Sequence, residues 1–168
     1  MIRTIIAALV LTTSAQAEDI QWKNLNKQWS IGLTSKACFV RTEYQSNVTF
    51  VLRSFSQWTG ADLMVCNDRW RLTDGKKYSG RLGFDDGTYP PVNFVAGGSC
   101  LSTEKYFGWD SNVLDDLADK KWWQLEMNGK NINPKNMLLS GSKEALWALK
   151  QCRGRLSGET FPDQGDTF

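Results

Sequence analysis

Four cysteines, Cys38, Cys66, Cys100 and Cys152, stand far apart in a chain that contains no histidine. No other feature restricts the fold as much. Zinc needs closely spaced thiolates or imidazoles, and neither pattern occurs here. Paired as two disulfides, the same cysteines staple distant segments into one unit, provided the chain reaches an oxidising compartment.

The N-terminus supplies that condition. Arg3 gives a short positive region, Ile5 to Leu11 an apolar one, and Ala15-Gln16-Ala17 fits small-x-small cleavage. The apolar run is too short to span a bilayer, which takes about 20 residues. Residues 1–17 therefore read as a signal peptide, with Glu18 as the new terminus. The product is expected in the periplasm or the medium, with no membrane span left after cleavage. Cleavage removes 17 of 168 residues and Arg3, lowering the formal charge from +2 to +1. That balance gives no reason to expect nucleic acid as a partner.

Three disulfide pairings are possible. Cys38 opens an apparent strand, and Cys66 closes the third strand of a simple meander. Those points belong at opposite ends of a sheet, which argues against joining them. Cys38–Cys152 with Cys66–Cys100 is preferred, the first bond tying a last helix to the sheet.

Period-two alternation marks the strands. Trp29, Ile31 and Leu33 alternate with Ser30 and Gly32. Cys38, Val40, Thr42 and Tyr44 share a face, as do Val48, Phe50 and Leu52. Ala61 to Cys66 reads as a strand. Trp70 to Leu72 and Tyr78 to Phe84 should flank a turn at Thr73-Asp74-Gly75-Lys76. Val92, Phe94 and Ala96 resume the alternation after an Asp85 to Pro91 loop. A helix follows Asp110 or Ser111, with Trp109, Val113 and Leu117 on its apolar side. Trp123 to Met127 and Asn136 to Leu139 are strands, with a hairpin turn at Asn128-Gly129. A helix starts near Ser142 and buries Ala145, Leu146, Leu149 and Cys152. These elements predict a mainly β domain over residues 18–152, with a flexible tail over 153–168. Seven to nine antiparallel strands and two short α-helices would form a β-sandwich or a curved sheet.

The absence of histidine removes the commonest general base and the Ser-His and Cys-His pairs. Ser140-Gly141-Ser142-Lys143 could pair a serine nucleophile with a lysine base, but either serine equally suits a helix N-cap. Ser102-Thr103-Glu104-Lys105 repeats that spacing on an apparent strand. Asp85-Asp86-Gly87 reads as a turn rather than a calcium loop, whose alternating oxygen ligands it lacks. Asp110, Asp115 and Asp116 read as cap or solvent residues. No metal and no cofactor is expected. Eight tryptophans remain. Core packing claims most, while Trp58, Trp122 and Trp147 are the candidates for a recognition surface.

The order of features resembles that of the small exported proteobacterial proteins of the invasion-associated locus B type. The likeness rests on the leader, Trp29-Ser30-Ile31 ahead of Cys38, the hairpin-rich middle ending at Tyr78–Asp85, and Leu138-Leu139-Ser140-Gly141-Ser142 before Ala145-Leu146-x-Ala148-Leu149. It lacks their closely spaced cysteines around Cys100. The resemblance implies a non-enzymatic β-rich periplasmic or surface factor and transfers no functional residue. The expectation is a non-catalytic exported binding protein that recognises a protein or an envelope glycan. It would act as a host-interaction factor, a hydrolase inhibitor or a toxin-immunity protein. The alternative is a small envelope hydrolase using carboxylates or the Ser140–Lys143 pair.

Overall fold

The computed structural model describes residues 20–45, 47–87, 90–127, 130–131 and 137–159. The expected signal peptide, the expected turn at Asn128-Gly129 and the final nine residues lie outside them. The strands are β1 (Gln21–Asn24), β2 (Trp29–Leu33), β3 (Ala37–Tyr44), β4 (Val48–Phe55), β5 (Gly60–Asn67), β6 (Lys77–Phe84), β7 (Pro91–Gly97), β8 (Cys100–Thr103), β9 (Phe107–Gly108), β10 (Trp122–Met127), β11 (Lys130–Asn131) and β12 (Met137–Leu138). Helix α1 (Asn112–Asp119) precedes β10, and α2 (Ser142–Ser157) follows β12.

The outcome is one antiparallel sheet rather than two stacked ones. Its order is β1-β2-β3-β4-β5-β8-β7-β6-β10-β11, with β12 also on β10 and β9 on β5. β1 to β5 run as a meander of short-turn hairpins, in which the alternation predicts β2 to β5 but not β1. Val40, Thr42, Val48, Phe50 and Leu52 all face inward and are buried. The chain then crosses to β6 and returns through two hairpins, so that β8 lands beside β5.

Curvature brings the far ends of this sheet together. The Tyr44 hydroxyl donates to the Leu138 carbonyl at 2.7 Å and accepts from Trp123 Nε1 at 3.0 Å. Gln28 Nε2 reaches the same carbonyl, and Trp29 Nε1 donates to the Ser140 carbonyl at 2.9 Å. Side chains from β3, β10 and the start of β2 thus close a seam that lacks a backbone ladder. Inside lie Trp29, Phe50, Phe84, Phe94 and Trp123, all fully buried, with Phe50 and Trp123 rings 4.6 Å apart.

Both helices pack on this sheet. Ser111 caps α1 through its side chain, which accepts from the Leu114 amide. α2 buries Ala145, Leu146 and Leu149, and Cys38–Cys152 pins it to β3. Cys66–Cys100 joins directly paired residues of β5 and β8. Both bonds are those preferred from the sequence.

Several expectations need correction. The strands number twelve among the described residues, because two-residue bridges carry no alternation. Trp70 to Leu72 form no strand: β7 takes the ladder position beside β6, and Arg71 Nη1 donates to the Asp68 and Trp70 carbonyls. In β2, Gly32 is buried while Leu33 is exposed, since the Trp22 ring covers Gly32. Neither Ser140 nor Ser142 caps α2. Gly141 holds that place at φ 78°, a conformation glycine adopts without steric cost. α2 also continues through Ser157, with Arg153 and Gly154 buried, so the 153–168 tail starts too early. The glycine there hid a helix that tertiary contact sustains.

Candidate functional site

The register of the sheet builds a cleft on its outer face. β4 and β5 pair so that Arg53 lies directly across from Asp62. β8 pairs with β5 through Met64↔Ser102, a register that carries Glu104 alongside Asp62. β9 rejoins β5 through Ala61↔Phe107, two residues out of that register. Glu104 to Tyr106 therefore bulge out of the ladder, a device that re-aims side chains. Gly60 makes the rejoining possible, because a Cβ there would sit 1.8 Å from the Phe107 carbonyl oxygen.

The bulge sets Tyr106 on Trp58. Their rings stack with centroids 5.2 Å apart and planes 19° from parallel. Phe55, ending β4, meets Trp58 edge-on at 4.6 Å, and the Trp58 amide donates to the Phe55 carbonyl, tightening the turn. Tyr106 is 42% exposed. Beside this shelf opens a cleft of about 490 Å³, lined by Trp58, Asp62, Thr103, Glu104, Lys105 and Tyr106.

Both carboxylates in the cleft are paired. Arg53 Nε and Nη2 reach the two Asp62 carboxylate oxygens at 3.1 and 2.5 Å. Asp62 is only 2% exposed, and burial raises its pKa against the opposing pull of Arg53. Glu104 pairs with Lys77 across the sheet surface, and that hydrogen bond lowers its pKa. The Thr103 hydroxyl accepts from the Leu63 amide at 3.2 Å. Beyond Glu104 the same row continues over neighbouring strands. The Glu104 amide donates to the Asn93 carbonyl, and Ser79 donates to the Asn93 side chain at 3.0 Å.

Of the sequence candidates, Trp58 belongs to this cleft. Trp122 on β10 and Trp147 on α2 are half-buried and do not line it. Lys143 Nζ lies 3.7 Å from an Asp119 carboxylate oxygen, while Ser142 is buried in the first turn of α2. Asp86 pairs with Lys120, and Asp85 accepts from the Lys121 amide, so both join the end of α1 to the β6 loop. Among the described residues, no three of Asp, Glu, Cys or His gather as metal ligands. Asp62, Glu104 and Tyr106 were missed as site residues. Asp62 did leave a signal: it is a carboxylate inside an otherwise apolar strand, and such a group needs a buried partner.

Compared with known protein families, curated proteins and solved structures, the chain matches none. The two disulfides are compatible with an exported protein, and among the described residues no helix is long and apolar enough to cross a membrane.

Proposed function

We propose that this chain is a non-catalytic binding protein of the periplasm or the medium, with the cleft as its binding face. The observation that carries the reading is the Trp58–Tyr106 stack beside the buried Arg53–Asp62 pair. Aromatic anchors next to fixed polar groups are the usual furniture of recognition sites. The leader pattern and the disulfides support export, and the locus B-type resemblance points the same way. A host-interaction, inhibitor or immunity role would use such a face on an envelope component.

One observation favours a second reading. Asp62 and Glu104 line one cleft with pKa values shifted in opposite directions, the arrangement of an acid and a base in glycoside hydrolysis. Binding is preferred because Arg53 engages both Asp62 oxygens, which leaves neither free to donate a proton to a substrate.

Co-sedimentation with a crude bacterial envelope fraction tests the proposal. The wild type should be retained, while Trp58→Ala and Tyr106→Ala should not. Equal retention of all three would remove the cleft from the reading. Breakdown of the envelope polymer, abolished by Asp62→Asn, would replace it with the hydrolase.

A further inference from the structure

We infer that the cleft and the polar row beside it form a track for a neutral, linear oligosaccharide. This rests on the cleft being the binding face and names its ligand class. The shelf comes first. Tyr106, backed by Trp58 and 42% exposed, offers an aromatic face, which suits the CH face of a sugar ring.

Charge disfavours a cation and does little for an anion, because Lys105 is, among the described residues, the single cation lining the cleft against the carboxylates of Asp62 and Glu104. Asp62 and Glu104 already hold Arg53 and Lys77, so a cation would compete with an internal partner at each carboxylate. An anion would meet those same carboxylates. A hydroxyl-rich neutral ligand avoids both costs, because the exposed, paired Glu104 carboxylate keeps lone pairs that accept O–H donors.

The row extends the site in one direction. Register aligns Asp62 on β5, Glu104 after β8, Asn93 on β7 and Ser79 on β6. Its exposed part, Glu104 to Ser79, spans two strand spacings, about 10 Å, which is longer than one sugar ring. Asn93 and Ser79 are exposed and uncharged, and each can donate and accept. The row crosses the middle of the sheet, where every strand is paired on both sides, so it offers an extended peptide no free edge to join. A protein partner would gain most from several aromatic or apolar anchors clustered at one centre. The large apolar residues exposed among those described, Leu33, Tyr106 and Leu138, sit on β2, the bulge and β12.

Calorimetric titration and tryptophan fluorescence with cellotriose and N,N′,N″-triacetylchitotriose, against their monosaccharides and tetramethylammonium, test the inference. At least one trisaccharide should bind and shift the emission. Tyr106→Ala should weaken it at least about tenfold, the size of a 1.4 kcal/mol loss. The double variant Asn93→Ala with Ser79→Ala should lower trisaccharide affinity while leaving monosaccharide affinity unchanged. Tyr106 is exposed, so its variant carries the test even if Trp58→Ala perturbs folding. Tighter binding of tetramethylammonium than of either sugar would overturn the inference. So would envelope retention that is destroyed by protease and not competed by trisaccharide, although the binding face would then stand. Loss of envelope retention altogether would remove the face and the track together. Cleavage of a trisaccharide would overturn only the non-catalytic reading and support the glycan track.

Discussion

At the scale of single residues, the half-buried Tyr44 and the Arg53–Asp62 pair carry more of this fold than their number implies. Tyr44 ties three parts of the sheet through one hydroxyl, and burial pushes its pKa up to about 12. An unfolded tyrosine ionises near pH 10, so the folded state binds more protons between those values. Stability is full below pH 10 and falls as pH rises towards 12. Tyr44→Phe should cost about 1 kcal/mol at neutral pH, through the lost hydrogen bonds. The gap to wild type should narrow in alkali, as followed by urea denaturation at pH 7 and above pH 10. Arg53 and Asp62 behave differently. Removing one member of a buried pair strands the other charge, at about 3 kcal/mol. Arg53→Met should therefore lose about that much at pH 7. The loss should shrink in acid, because a protonated Asp62 no longer buries a charge. An acid-insensitive loss would assign Arg53 to packing alone.

At the scale of elements, the hairpins were legible in the chain and the crossover was not. The β3–β4 pairing follows from Val40 and Thr42 facing Leu52 and Phe50, a pattern local to some twenty residues. The β5–β8 and β6–β10 pairings join strands far apart in sequence, and alternation alone does not name a strand's partner. Cysteines compensated in one place: Cys66–Cys100 marks β5 and β8 as neighbours. The two bonds close loops of different length, with separations of 34 and 114 residues. Chain entropy gives them about 3.8 and 4.8 kcal/mol. Removal of Cys38 and Cys152 together should therefore lower the denaturation midpoint more than removal of Cys66 and Cys100. The reverse order would mean that strain or residual structure outweighs loop closure.

At the scale of the whole molecule, a single core joins strands from both ends of the sheet to both helices. Nothing in that core divides it into separately folding units. Near-ultraviolet and far-ultraviolet circular dichroism should report one coincident thermal transition. Two separated transitions would show that the seam at Tyr44 opens before the sheet melts. The seam itself joins residues separated by up to 111 positions, so folding should be slow for a chain of this size.

The sequence by itself determined the alternating strands, the capped first helix, the inward faces of β3 and β4, and a disulfide framework. Each of these depends on residues close together, or on the few cysteines able to bond at all. Only the tertiary structure decided the cleft. Asp62 looked like an anomaly in an apolar strand until register set Arg53 opposite it. Tyr106 acquired a role only when a bulge of two extra residues turned it onto Trp58. Local patterns report which face a residue occupies. Which residue lies across from it is fixed by strand pairing, and strand pairing is settled by the burial of the whole core.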